Sequence, residues 1–245
     1  MLRGLYAAAS GMNFQMAQLN QIANNIANIG TNGFKRQELL ASSFGDLVVQ
    51  FADHAPGTDS TVGTGVKIDG VARFENEGSL HQTNNRFDFA IDGPGYFMIQ
   101  GSNGVEKLTR DGAFQLDANH HLITQTGELV LNTHHRPITL NGDLTTMRVA
   151  SNGDLYVDNK LQDQIMVTHP PEAALQAHFP VAPPGLLPMK DPVVRQGVLE
   201  SSNVNVVTEM VAMVTANRAF SFDEKVVKAN DNILQKAAND LGRMS

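Results

Sequence analysis

Two histidine doublets, His120-His121 and His134-His135, are the residues whose type and spacing most readily suggest chemistry. A hairpin between them would bring four imidazoles to one end of a sheet, a donor set suited to zinc or nickel. No acidic or cysteine ligand is read beside them, and Asn-His-His and Thr-His-His both read as turns, so no metal is assigned. The carboxylates Asp88, Asp92, Asp111, Asp117 and Asp154 offer a second possibility. A glycosidase pair needs two such groups roughly 5–9 Å apart. Most of these aspartates stand beside glycine, where the side chain commonly accepts backbone hydrogen bonds in a turn. Ser102 and Ser151 lack a nucleophile-elbow motif, and Gly63-Thr-Gly65 has no lysine placed to bind phosphate. No catalytic residue and no cofactor is assigned.

The elements that would position such groups are read from composition and periodicity. The chain has 245 residues, 42% hydrophobic and 18% charged, enough apolar content for one large domain or two small ones. Its net charge of -7 argues against a broad electrostatic grip on nucleic acid or an anionic membrane. No run of eighteen apolar residues exists, so no membrane insertion is expected. The first ten residues make a poor signal-peptide core, because Gly11, Asn13 and Gln15 interrupt it and the heptad runs on. Cysteine and tryptophan are absent, which excludes disulfides and points to a core of aliphatic residues, Met and Phe.

Both ends of the chain carry long amphipathic helices. Val206, Met213, Phe220, Val227, Leu234 and Leu241 recur every seven residues, as the a positions of a coiled coil do. The d positions are Met210, Asn217, Glu224, Asp231 and Ala238, mostly polar. At the other end Leu5, Met12, Leu19 and Ile26 are also seven apart, with Ile22 and Ile29 flanking them. This helix is expected from Arg3 to Asn28, ending at Ile29-Gly-Thr-Asn-Gly33. Asparagine is a weak helix former, so Asn20, Asn24, Asn25 and Asn28 imply that something beyond propensity, such as an intermolecular contact, holds it. Ser202-Asn203 are read as N-cap residues of the last helix.

Between the helices the pattern is β. Short runs rich in β-branched and aromatic residues recur from Val66 to His169, punctuated by Gly93-Pro-Gly95, Asn103-Gly104, Asp111-Gly112, Asn141-Gly142 and Asn152-Gly153. Glu172 to Ala177 suits one or two helical turns, and Val193 to Ser201 a returning strand. The fold class is therefore α+β: terminal amphipathic helices forming a coiled-coil-like α domain around a central all-β domain. The expected division is 1–34 with 202–245 as the helical assembly domain, 35–65 as a linker or extension, and 66–201 as the β domain.

The run Ser10-Gly-Met-Asn-Phe-Gln-Met-Ala-Gln-Leu-Asn-Gln-Ile-Ala-Asn-Asn-Ile-Ala-Asn-Ile-Gly-Thr-Asn-Gly-Phe-Lys35 resembles the N-terminal signature of bacterial flagellar basal-body rod and hook proteins. Gly197-Val-Leu-Glu-Ser-Ser-Asn-Val-Asn-Val206, with Glu209, Met213 and Asn217-Arg-Ala219, resembles their C-terminal signature. Gly78 to Phe97 and Leu108-Thr-Arg-Asp-Gly-Ala-Phe-Gln-Leu-Asp117 are similar to the β domain of the proximal- and distal-rod subfamily. The resemblance implies a structural, non-enzymatic protein that polymerises helically into the rod, the drive shaft between motor and hook. It implies assembly through the terminal helices, with itself and with other rod and hook proteins as partners. It also implies passage through the flagellar export apparatus without a cleaved signal peptide, to an axial, extracytoplasmic location in the basal body. Where that family places glycine in the turn after Asp117, this chain has Asn119-His-His121, and Asn119 is expected to take the left-handed position. The competing reading is a secreted β-rich hydrolase of cell-wall glycan, or a binding module, with the helices clamped on the domain.

Overall fold

The structure is a computed structural model that describes residues 2–43, 65–170, 182–183 and 185–243. The segment expected to form a helical turn, 172–177, lies outside the described residues, as does most of the apolar run 39–51 and of the loop 54–65. Helix α1 spans Leu2–Ala27 and helix α2 spans Val206–Arg243. Strands β1 (Gln37–Ser43) and β2 (Val66–Arg73) pair with each other. The chain divides into two compact units: Met1–Ile26, Gln37–Ala72 and Asn205–Ser245 form one, and Ala27–Arg36 with Arg73–Val204 form the other. Gln37–Ser43, read from the sequence as linker, is a strand of the first unit.

Within the first unit, α1 and α2 touch where Asn25 bonds Glu209 and where Gly11 abuts Asp223. The two contact points lie fourteen residues apart on each helix and run in opposite directions, so the helices pair antiparallel. A Cβ on Gly11 would stand 2.8 Å from the Asp223 carboxylate, so the small residue permits the approach. Ala8, Ile22 and Ala216 are buried in this unit. Helix α2 is capped by Asn205, whose Oδ1 accepts from Val207 N at 3.0 Å and Thr208 N at 3.2 Å. That corrects the cap expected at Ser202-Asn203. Asn203 is drawn away: its side chain accepts from Arg36 N and donates to the carbonyls of Phe74 and Asn76.

The second unit is a set of small antiparallel sheets. The largest runs β13-β5-β9-β8-β7, with β6 also on β5; these strands are Val167–Thr168, Tyr96–Gln100, Leu129–Val130, Leu122–Thr124, Phe114–Leu116 and Glu106–Thr109. A second runs β10-β11-β12 (Arg148–Val149, Asp154–Val157, Lys160–Gln164). Two pairs complete it, β14 (Val194–Gln196) on β4 (Phe89–Ile91) and β15 (Val198–Glu200) on β3 (Leu80–Gln82). Strand β5 alternates between two cores. Phe97 and Ile99 join Phe89, Phe114, Leu122 and Leu155, while Met98 packs with Leu131, Met166 and Ala182. The Phe97 and Phe114 rings meet edge to face, 5.3 Å between centroids.

One turn geometry is used five times in this unit. At 101–105, 117–121, 124–128, 132–136 and 150–154 the first residue's N–H bonds the fifth carbonyl and the fourth N–H bonds the first carbonyl. The fourth residue is left-handed each time: Gly104 (φ 76), His120 (φ 63), Gly127 (φ 83), His135 (φ 58) and Gly153 (φ 86). This is a type I turn closed by one left-handed residue. Left-handed His120 replaces the expectation for Asn119. The side chain of Asp117 accepts from the N–H groups of Asn119 and His121, and Asn132 does the same for His134 and Arg136. Those bonds hold histidine in a conformation that glycine adopts freely. Asp158 (φ 53) and Asn159 (φ 59) are both left-handed in the two-residue turn between β11 and β12.

A Cβ on Gly127 would meet nothing within 4 Å, so only backbone strain opposes a side chain there. Gly127→Ala is expected to lower stability by ~1–2 kcal/mol, and Gly127→Asn by less, as read from urea-unfolding midpoints.

Candidate assembly site

Helix α2 presents two faces. Glu209 and Ala216 are buried, and Val206, Met213, Phe220 and Val227, on the same side, are half-buried. Two residues further round, roughly 200° at 100° per residue, a second apolar stripe stands in solvent. Val207, Val211, Val214 and Phe222 form it, Val207 being 71% and Phe222 67% exposed. Sequence reasoning followed the first heptad and missed this stripe, although the spacing of Val207, Val211 and Val214 is its signal. Val214, Asn217, Arg218, Ser221, Phe222 and Lys225 line a shallow groove along it.

Of the other seam residues, Met210 and Leu234 are exposed, and the side chain of Leu241 lies outside the described residues. On α1, Ile22 is buried and Leu5, Met12, Leu19 and Ile26 are half-buried, while Tyr6 and Met16 are exposed. Ile29 lies past the helix end, half-buried in the second unit. Asn25 explains one of the helix-poor asparagines without a neighbouring molecule. Its Nδ2 donates to Gln37 O at 2.8 Å and Glu209 Oε2 at 3.2 Å, and its Oδ1 accepts from Gln37 N at 3.1 Å.

The second unit holds a buried ion cluster that periodicity could not reveal. Lys35 and Glu200 are almost fully buried, with Lys35 Nζ 2.7 Å from Glu200 Oε1. Arg110 NH1 lies 3.2 Å from Glu200 Oε2 and also donates to Ile91 O at 3.0 Å, while its NH2 donates to Gly93 O. Gly78 N donates to Glu200 Oε1, and Lys35 Nζ donates to Asn76 O. The Tyr96 hydroxyl bonds Glu75, and both Arg73 and Arg110 sit over the Tyr96 ring. Burial pushes the phenol's pKa well above its usual value, keeping it a donor. Main-chain bonds reinforce the cluster: Gly33 N to Glu200 O at 2.7 Å, and Asn203 N to Phe34 O. Gly33 is left-handed (φ 65), and a Cβ there would lie 2.5 Å from the Arg110 backbone.

The residues first considered for chemistry are distributed among turns and ion pairs. His120 Nδ1 faces Leu140 O and His135 Nδ1 faces Glu106 Oε1 at 2.9 Å. His121 Nδ1 faces Asp117 Oδ2 at 3.1 Å, so an acidic partner does stand beside that doublet, contrary to the sequence reading. Among the described residues no group of three or more His, Asp or Glu side chains is placed to hold a metal. Asp88 bonds Asn85, Asp92 bonds Arg195, and Asp154 bonds Asn152. Asp111 accepts from Ala113 N, and burial raises its pKa above the usual carboxylate value. No helix among the described residues is long and apolar enough to cross a membrane.

Comparison with known proteins adds three family matches. Residues 5–35 match the flagella basal body rod protein model, 90–157 the flagellar hook protein FlgE/F/G D1 domain, and 195–241 the flagellar basal body rod FlgEFG protein C-terminal model. The flagellar basal-body rod protein FlgG of Borreliella burgdorferi is 31% identical over 98% of each chain. That of Buchnera aphidicola subsp. Baizongia pistaciae is 32% identical over 96% of this chain and 98% of its own. The flagellar hook protein FlgE of Helicobacter mustelae is 36% identical over 52% of this chain and 30% of its own.

Removing Glu200 would leave two buried cations uncompensated, so Glu200→Ala is expected to cost ~3–5 kcal/mol of unfolding free energy, read by urea titration. For Asp111, the raised folded-state pKa means that burial disfavours the charged form above the carboxylate range. Asp111→Asn should therefore gain stability over the parent at neutral pH. The gain should vanish at acid pH, where both folded and unfolded parent carry the proton.

Proposed function

We propose, for a chain that belongs to the flagellar basal-body rod protein family, that its terminal helices are the surface through which subunits assemble. The protein is a structural subunit of the bacterial flagellar basal-body rod. In this reading it polymerises helically, α1 and α2 packing as a coiled-coil-like layer with the helices of neighbouring copies. Other rod and hook proteins continue the stack, and the polymer transmits torque mechanically between motor and hook. The subunit reaches this axial, extracytoplasmic position through the flagellar export apparatus without a cleaved signal peptide. Residues 1–34 and 202–245 form the assembly domain, 35–65 a linker or extension, and 66–201 the β domain.

The observation that carries the reading is the solvated stripe Val207, Val211, Val214 and Phe222 on a helix whose opposite side is already buried. A helix apolar on two sides has a second packing partner to find. The seam residues then divide their work. Met12, Leu19, Ile22, Met213 and Phe220 hold the pair within a subunit, and Met210 and Leu234 join the solvated stripe in contacts between subunits.

Val214 is 52% exposed, so Val214→Asp should leave the monomer's circular dichroism and unfolding midpoint unchanged while stopping polymerisation. Sedimentation and electron microscopy of purified subunit would read this. Phe220→Asp should also stop polymerisation but loosen α2 in the monomer. Normal polymers from Val214→Asp would refute the role given to the stripe.

A further inference from the structure

We infer that Asn141-Gly142 is a site of spontaneous covalent modification, the one Asn-Gly pair that the fold leaves free to deamidate. Asparagine followed by glycine is the sequence most prone to this reaction, because no side chain hinders the glycine nitrogen, and asparagine is a thermolabile residue for this reason. The Gly142 amide nitrogen forms a bond to Asn141 Cγ. Ammonia leaves from that carbon, taking up the proton from the attacking nitrogen, and a five-membered succinimide results. Water then adds to either ring carbonyl and opens it to aspartate or isoaspartate.

The chain contains four such pairs, at Asn32, Asn103, Asn141 and Asn152. In three of them the nucleophile is occupied. Gly33 N donates to Glu200 O at 2.7 Å, Gly104 N to Gly101 O at 2.9 Å and Gly153 N to Ala150 O at 2.9 Å. Their asparagine side chains are engaged as well. Asn32 bonds Asp111, Asn103 Oδ1 accepts from Val105 N, and Asn152 bonds Asp154 through both side-chain atoms. Attack in any of these turns requires the hydrogen bonds to open first.

Asn141-Gly142 has neither restraint. Among the described residues Gly142 N donates to no acceptor, and the Asn141 amide bonds no partner. Both residues are exposed, although Asn103 and Asn152 are exposed too, so hydrogen bonding rather than access separates the sites. The pair joins Leu140, whose N–H bonds His120 O, to Asp143, whose N–H bonds Asp158 Oδ2. Deamidation would add a carboxylate beside Asp143 and Asp158, and the isoaspartate form would lengthen the backbone of this loop by one methylene.

The test uses the full chain, incubated at mildly alkaline pH in native buffer and, in parallel, in urea. Trypsin places each pair in a separate peptide: Gly4–Lys35, Phe87–Lys107, Asp111–Arg148 and Val149–Lys160. Tandem mass spectrometry then follows the conversion of each amide to the acid. In native buffer Asn141 should convert roughly tenfold or more faster than the other three, each of which is held by two or more hydrogen bonds. In urea the four rates should draw together. Asn141→Gln should abolish the native reaction in its own peptide without speeding the others. Equal native rates at Asn103 or Asn152, or an inert Asn141 in native buffer beside reactive sites in urea, would overturn the inference.

Discussion

Glu200 is the residue on which the architecture of the β unit turns. Its two carboxylate oxygens are shared among Lys35, Arg110 and the Gly78 amide, and its carbonyl receives Gly33 N. Burying three charges is costly, and the pairing of opposite charges with added hydrogen bonds offsets that cost. Those partners come from the segment that follows the first helix, from the residue after β6 and from the stretch before β3, while β15 carries Glu200 itself. The segment after the first helix and the last strand of this unit are therefore held together at one place. Asn203 repeats the constraint with neutral groups, since one side chain bonds the backbone at Arg36, Phe74 and Asn76. Charge pairing and backbone bonds thus tie the ends of this unit to each other.

The helical unit is built on a different principle. Its internal contacts include the Asn25 clasp on Gln37 and Glu209, and the close approach at Gly11. Apolar side chains on α2 remain in solvent on the side that its partner does not cover. Apolar groups left in solvent on one side are what an element shows if its packing is to be completed by another molecule. The hairpins of the β unit are closed by their own turns. Their left-handed corners are held by local bonds, whether glycine or a braced histidine stands there.

Much of this was legible in the sequence because it depends on local period and local turn chemistry. The heptads at both ends give helices of nearly the expected bounds, and Asn103-Gly104 and Asn152-Gly153 give the corners they suggest. The readings that failed did so where a side chain serves a distant partner. Asn203 has the chemistry of a cap, but its bonds go to Arg36 and Phe74, and Asn205 caps α2 instead. At one corner the miss was local instead: Asp117, three residues back, braces a turn that puts His120 rather than Asn119 in the left-handed position. Gln37–Ser43 carries no strong strand pattern and becomes a strand by pairing with β2.

By itself the sequence determined the two terminal helices, the apolar seam along each and the β character of the middle, since helical period and turn propensity are properties of a few adjacent residues. Its signature segments also determined the family. The tertiary structure alone decided that Lys35, Arg110 and Glu200 share one buried site, because charges 165 and 90 residues apart in the chain become partners only when the fold brings them together. It likewise decided which apolar residues of α2 stay in solvent. Exposure is set by what stands opposite a side chain, and periodicity records only that the side chain wants a partner.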